Sequence, residues 1–422
     1  MTDALKVRRN SLYAITGQVV LAALQTLQFF VVARRLGPHE FGLVAGITAI
    51  TGALVPFSGL GLGNVMIMRI ARGQGSAAGL LGNALGVTGW TGVLCVLVAV
   101  GVAHLSLGGS SIVLLVVLFG ATDILVGKCI DVAAHVFYAV ERHGTAALFY
   151  NLQLVLRVLF ACSLYLLDSP GALAWALLNG CASLVTLAIV GSLTLREIGR
   201  PGLDWRESLA DAKVGVYFSM GLSGRALATN VDKVILARSA STDIGGAYTA
   251  AHRVVYIALL PVSAVLLALQ TRVFRAGHVD GLAGTIGLLG RLTLLGTAYC
   301  GALAAVLFAA APLLRVLLGD AYALSSEILQ ALCLLPLLLM LQEIAADALM
   351  GARGEKVVSV LYACSAAGAF LLNTALVPRY GWQGAVAAAY LLQVLLLVAI
   401  LGSMLTLHRR RRSLALVEGT VA

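Results

Sequence analysis

Apolar residues run along this chain in unbroken stretches of span length, at about 11–32, 42–63, 80–103, 112–134, 147–167, 172–194, 214–236, 247–270, 292–313, 325–348, 357–377 and 383–406, with short polar turns between them. Strands of a membrane barrel would alternate in polarity over about ten residues. These runs do not alternate. A hydrocarbon core of about 30 Å needs about 20 residues of helix at 1.5 Å per residue, and a helix satisfies its own backbone groups in lipid. The pattern predicts an all-α polytopic membrane protein of about 12 transmembrane helices.

Composition agrees with this reading. Of 422 residues, 60% are hydrophobic and 11% charged, and the mean hydropathy is +0.96. Soluble domains carry about 25% charged residues, so a water-facing exterior is excluded. The connections are too short for an extramembrane catalytic domain, so no enzyme is expected. The N-terminal Lys6, Arg8 and Arg9 before an apolar run imitate a secretory signal, but no small-residue cleavage site follows, and the run reads as a retained first helix.

The net charge of +10 would suggest an acidic partner, but its placement indicates topology. One side of the membrane collects Lys6, Arg8, Arg9, Arg69, Arg72, Arg142, Arg196, Arg200, Arg206, Lys213, Arg272, Arg275, Arg353, Lys356 and Arg409 to Arg412; the other holds Arg34, Arg35, Arg238, Arg315 and Arg379. By the positive-inside rule both termini are expected in the cytoplasm, and no nucleic acid is implied. The basic tail, 408–422, reads as the anchor of the last helix. Cys95, Cys129, Cys162, Cys181, Cys300, Cys333 and Cys364 lie in apolar runs without Cys-x-x-Cys spacing or neighbouring histidines. Neither a disulfide framework nor a metal site is expected, and no cofactor.

The chain repeats itself. Ala33-Arg34 closes the first run and Gly42 follows; Ala237-Arg238 closes the seventh and Gly246 follows, both at an offset of 204 residues, with Pro56 and Pro261 in the next run one residue off register. This predicts an N-terminal six-helix lobe (1–200), a cytoplasmic linker (201–213) and a C-terminal six-helix lobe (214–407) ahead of the tail. Parallel repeats rocking about a central cavity are a recurrent transporter design.

A charge at the centre of a span costs about 2.5–3.5 kcal/mol on insertion scales and so marks a functional candidate. Counting residues from the hairpin turns puts Asp232 level with Arg253 across spans seven and eight, and Asp131 level with Arg157 across spans four and five. Each couple reads either as a structural ion pair or as part of a site. Arg225 lies mid-span with no carboxylate at its depth on the next helix, and a guanidinium fork suits phosphate oxygens. Lys233 is turned about 100° from Asp232, toward the same cavity or the outer interface. Asp123 has no cation at i±3 or i±4; ion coupling and a protonated, hydrogen-bonded carboxyl both fit it. Glu343 and Asp347 share a face near the cytoplasm and read as an interfacial pair. Gly59, Gly61 and Gly63 spell G-x-G-x-G without a preceding strand, so close packing or a helix end explains them better than a nucleotide loop. Gln18, Gln25 and Gln28 stripe the first span, lining a cavity or bonding between helices.

The stretches RRNSLYAITGQVV, ARRLGPHEFG, NVDKVILARSASTDIGGAYTAAHRVVYIALLPVSA, PLLRVLLGDAYALSSEIL and VPRYGWQGAVAAAY, spread in order along the chain, resemble the polysaccharide-transport (Wzx-like) flippases of the MATE-like superfamily. The resemblance implies two six-helix lobes around a central cavity in the cytoplasmic membrane. It also implies an undecaprenyl-diphosphate-linked oligosaccharide as cargo, cavity cations that hold the diphosphate, and as partners membrane lipids and a polysaccharide polymerase or glycosyltransferases. Asp232 matches the family's span-seven aspartate, and Ala251 and Arg253 its span-eight A-x-R pattern. Substrate contact is therefore expected at Arg225, Arg157, Arg253 and Lys233, and coupling or structural pairing at Asp232, Asp123 and Asp131. Span one lacks the acid of many proton-coupled drug exporters in this superfamily. A cation-coupled drug or amphiphile exporter stands as the alternative, and a membrane glycan polymerase or ligase as one of another class.

Overall fold

The computed structural model describes the backbone at 2–107, 110–239, 241–352 and 354–421; side chains are described except at 1–19, 107–111 and 408–422, at residues 240 and 353, and at scattered positions within 217–228 and 267–291. Among the described residues there is no strand. Helix α1 (Thr2–Leu54) is interrupted at Gly37, which takes φ 74°, ψ 170° just before Pro38, and so holds the first span and the start of the second. A left-handed φ at this turn is a conformation only glycine adopts without penalty. The second span resumes as α2 (Leu62–Ala71). Then come α3 (Ala77–Leu107), α4 (Ser110–Gly120), a π-turn over Ala121–Val126, α5 (Gly127–Ala139), α6 (His143–Cys162), α7 (Ala172–Glu197) and α8 (Trp205–Ser239). Helix α9 (Thr242–Ala310) is broken at Gly281, short α10 (Leu313–Leu318) follows, and α11 (Ala323–Leu332) and α12 (Leu335–Gly351) meet at a bend in the tenth run. The last helix, α13 (Glu355–Val421), carries two spans divided at Gly381.

The apolar runs therefore become helices where periodicity and length expect them, but three are irregular inside the membrane. The second span unwinds between Leu54 and Leu62, the fourth carries the π-turn, and the tenth bends by 50°. Pro56 lacks an amide hydrogen and sits in the 3-10 turn Val55–Phe57 at the end of α1; Pro261 stays inside α9.

In space the chain divides into two compact units, Met1–Gly246 with Leu317–Ala321, and Ala247–Val316 with Tyr322–Ala422. The first unit includes α8, which the repeat in the sequence assigns to the second half. Its attachment is electrostatic at the start of α8: Arg69 donates to Glu207 at 2.5 Å and to Asp211 at 2.8 Å, while Asn83 donates to Glu207 at 2.9 Å and accepts from the Asp204 amide at 2.8 Å. Behind these contacts lies an apolar core that includes Met66, Leu81, Ile130, Phe137, Phe149 and Val190, with Phe137 and Phe149 edge to face at 5.2 Å. Outward, the unit presents Leu97, Leu105, Leu159 and Leu166. Exposed leucines in such number are a lipid-facing surface.

Candidate functional site

Polar chemistry inside the first unit gathers where two spans lose regular helix. After α1 ends, Gly59, Leu60 and Gly61 all take positive φ, which leaves backbone groups without helical partners. Such backbone is tolerated at membrane depth only where protein or a water-filled cavity satisfies it. Here neighbouring helices supply partners: the Gly59 amide donates to Thr91 Oγ1 at 2.8 Å, and Ser58 Oγ donates at 2.8 Å to the Ile124 carbonyl within the π-turn. Gly63 admits the His135 ring, whose Cδ2 would lie 2.9 Å from an added Cβ. The glycine motif is thus a helix end and a close-packing site, as its sequence context implied.

Asp123 sits in the π-turn, and its partner comes from α6. Arg157 Nη2 donates to Asp123 Oδ1 at 2.9 Å and to Ser183 Oγ at 3.2 Å, and Nε reaches the same hydroxyl at 3.4 Å. The two charged side chains are 22% and 19% exposed, so the pair is sheltered but still open on one side. Arg157 Nη1 bonds to no described residue. A guanidinium carries five donors in a rigid fork, and here one limb is occupied and the other available.

This corrects the expected Asp131–Arg157 couple. That expectation placed the centre of the turn at His143, but α6 begins at His143 while α5 ends at Ala139. Counted from the helix ends, Arg157 is 14 residues along α6 and Asp123 16 back from the end of α5, a mismatch of about 3 Å. Asp131 is 8 back, about 9 Å short of Arg157. It is neutralised instead from its own helix, Lys128 Nζ lying 2.7 Å from Oδ2. Tyr150 donates to Oδ1 at 2.6 Å, and His135 Nδ1 is 3.5 Å from the same oxygen. Lys128, His135, Tyr150 and Ser183 were not anticipated. The i,i+3 spacing of Lys128 and Asp131 was the available signal.

The remaining expected residues fall in both units. On α8, Lys233 Nζ donates to the Thr229 carbonyl at 2.9 Å and to Asn230 Oδ1 at 2.8 Å, so the ammonium folds back along its own helix. Asp232 is buried and its Oδ1 accepts from the Lys233 amide at 2.8 Å. The backbone of Arg225 lies in α8, but its side chain, like that of Gln18, lies outside the described residues. Arg253 is exposed on α9 in the second unit, whereas Asp232 belongs to the first. Glu343 accepts from Ser263 at 3.4 Å within the second unit. Among the described residues no cluster of three metal-ligating side chains occurs.

Positions matched by the 204-residue offset also meet in space. Pro38 and Gly42 in the first helical hairpin correspond to Thr242 and Gly246 in the seventh and eighth spans. A Cβ on Gly42 would overlap the Thr242 carbonyl oxygen, and one on Gly246 would overlap the Pro38 carbonyl oxygen. Equivalent residues therefore cross reciprocally, backbone against backbone. Beside the crossing, His39 Nδ1 lies 3.1 Å from Asp243 Oδ2 and 2.7 Å from the Thr242 hydroxyl.

With this geometry in view, the chain was compared with known proteins. A family model described as polysaccharide biosynthesis protein matches residues 7–269. No curated protein matches the sequence. Among solved structures, the inward-facing conformation of a multidrug resistance MATE family transporter of the MOP superfamily superposes with a TM-score of 0.73 at 16% identity, over 92% of this chain and 96% of that one. The MATE multidrug transporter DinF-BH gives 0.62 at 19% identity, over 96% and 95%. A MOP superfamily transporter from Pyrococcus furiosus, described as having reverse polarity of the binding pocket, gives 0.62 at 15% identity, over 95% and 96%.

Proposed function

Because this chain belongs to the polysaccharide biosynthesis protein family and is a multi-pass membrane exporter or flippase with the fold of MATE transporters, we propose that it moves an undecaprenyl-diphosphate-linked oligosaccharide across the cytoplasmic membrane by alternating access. In this reading both termini are cytoplasmic, the two six-helix repeats move against each other, and the acyl chain stays in lipid while the head group passes through a polar path. Glycan hydroxyls and two phosphates cannot cross hydrocarbon unassisted. Cationic donors at mid-membrane lower that barrier, and the observation that carries the reading is Arg157, a half-sheltered guanidinium with one limb available. Arg225, Arg253 and Lys233 are the further proposed contacts. An inside-negative potential favours outward movement of the anion by about 2.3 kcal/mol per charge per 100 mV.

The test is rescue of a strain lacking an oligosaccharide flippase, scored by surface glycan. The wild-type chain should restore glycan; Arg157→Ala and Arg225→Ala should each reduce it while membrane insertion is unchanged. Full glycan in both variants would remove the two arginines from the path. The structural likeness to multidrug transporters supports a second reading, export of drugs or amphiphiles. Dye efflux from cells expressing the chain, with no rescue of glycan, would establish that reading in place of the first. A surface-polysaccharide polymerase and glycosyltransferases are the partners proposed with the flippase.

A further inference from the structure

The Asp123–Arg157 pair differs from the cluster around Asp131 in being incomplete. Asp131 is held by Lys128 and Tyr150 together, one on each carboxylate oxygen. Asp123 has its hydrogen bond on Oδ1 only, and Arg157 has Nη1 to spare. Both side chains are partly exposed. The carboxylate also rides on a π-turn, a local departure from α-helix that occurs frequently at functional sites. Close by on α7, Gly180 faces Thr122 Oγ1 across the same π-turn. The neighbouring Asn179, one turn before Ser183, buries an Oδ1 that accepts from no described residue.

An anion entering this site meets a neutral couple. It is attracted by the open limb of Arg157 and repelled by the Asp123 carboxylate, and two negative groups in one sheltered site cannot both stay ionised at ordinary cost. The least costly rearrangement transfers the guanidinium to the anion and neutralises the carboxylate. Resting on the diphosphate reading above, we propose that Asp123 and Arg157 form an anion–proton exchange site: a head-group phosphate takes the Arg157 guanidinium, and Asp123, losing its counter-ion, takes one proton from water. The Oδ–H bond forms on Asp123 as an O–H bond of solvent hydronium breaks to leave water; nothing is oxidised or reduced, and the proton leaves when the anion departs and the ion pair closes. Anion and proton thus bind together and are carried in the same direction.

Other titratable groups around Asp123 are few. Its own span carries Lys128, Asp131 and His135, which engage one another, together with Cys129 and Tyr138. On α6 they are Arg157, Tyr150, whose hydroxyl is given to Asp131, His143 and Cys162. Helix α3 offers Cys95 and His104, and α7 offers Cys181, Arg196 and Glu197. Helix α1 carries no ionisable residue over 20–33 or 41–54. Asp123 is thus the carboxylate in this region whose counter-ion a ligand can take.

The experiment uses the full chain in detergent or nanodiscs with farnesyl diphosphate as the probe. Isothermal titration at pH 7.5 in two buffers of different ionisation enthalpy counts the protons taken up per anion bound. The wild type should take up about one proton more than Asp123→Asn, a difference that removes the probe's own titration. Affinity of the wild type should rise up to tenfold per unit fall in pH, with a flatter profile for Asp123→Asn, and Arg157→Gln should lose binding. The wild-type proton count needs no variant to fold. No binding by the wild type would overturn the diphosphate reading and the exchange with it. Binding without proton uptake, or with equal uptake in both proteins, would overturn the exchange alone.

Discussion

The crossing of Gly42 and Gly246 gives the most direct quantitative prediction. A Cβ on Gly42 would overlap the Thr242 carbonyl oxygen and stand 2.7 Å from the Gly246 amide nitrogen and 2.8 Å from the Thr242 carbonyl carbon. All three atoms are backbone, so no side-chain rotation relieves the clash and the two segments must part. Overpacking of this kind costs about 1–3 kcal/mol. The neighbouring His39–Asp243 contact cannot compensate, since its side chains are 60% and 57% exposed and such surface pairs contribute about 0.2–1 kcal/mol. Gly42→Ala should therefore lower the population of the crossed arrangement by about 5- to 150-fold, at tenfold per 1.4 kcal/mol. Because Gly246→Ala forces the same separation, the double variant should cost little more than either single one, a departure from additivity expected of contacting residues. The assay is cross-linking of His39→Cys with Asp243→Cys by a short bifunctional thiol reagent, in a background lacking the seven native cysteines. Rapid cross-linking in the parent and slow cross-linking in all three alanine variants is expected. Equal rates in parent and variants, or additive effects of the two alanines, would refute the close approach.

Three further outcomes follow from the ion pairs and the charge distribution. Arg69→Ala removes the donor shared by Glu207 and Asp211 and should destabilise the start of α8 by about 1–3 kcal/mol, read as faster tryptic cleavage at Arg200 and Arg206; unchanged cleavage would deny the clamp. Asp131→Ala strands Lys128 and should lower thermal stability more than the double Asp131→Ala/Lys128→Met, since an uncompensated sheltered charge costs more than the absent pair; equal melting temperatures would contradict this. Cysteine placed at Asp168 should react with a membrane-impermeant reagent from outside the cell, and cysteine at Gln74 only after permeabilisation; the reverse would invert the topology read from Lys and Arg placement.

Span positions were legible because lipid leaves one solution for a continuous apolar run of about 20 residues. The irregularities were legible only in part. Pro56 and the triplet Gly59, Gly61, Gly63 did mark a helix end, and the structure uses two of these glycines at positive φ. The π-turn at Ala121–Val126 had no such punctuation, and Asp123 accordingly looked isolated. Its partner was hidden by geometry: a hairpin ruler is accurate only if both helices end equally far from the turn, and the three residues Val140–Arg142 fall on one side of the centre that counting assumed. Pairing by depth is sound physics, but an error of a few residues exchanges one aspartate for another. The clamp at Arg69 was invisible for a different reason: cations at the end of a span serve as topology signals, and nothing local distinguishes one that also binds two carboxylates 138 and 142 residues away.

The positions matched by the 204-residue offset are alike where backbone meets backbone and differ where chemistry is placed. Gly42 and Gly246 occupy equivalent turns because a crossing this close tolerates only glycine on both sides, so any drift in either half opens the contact. Pro56 and Pro261, nearly equivalent in sequence, are under no such constraint: one ends a helix ahead of an unwound segment, and the other remains inside α9. In the first unit, the Ser58 hydroxyl of that unwound segment donates to the Ile124 carbonyl of the adjacent π-turn. Unpaired polar backbone in lipid costs several kcal/mol, and this bond ties the unwound segment to the π-turn that places Asp123 beside Arg157. Removing the Ser58 hydroxyl should therefore disturb the Asp123–Arg157 pair one residue away from its acceptor, although Ser58 carries no charge. In Ser58→Ala the proton count per bound diphosphate should fall together with thermal stability, whereas a purely local packing role would lower stability and leave the count at its wild-type value.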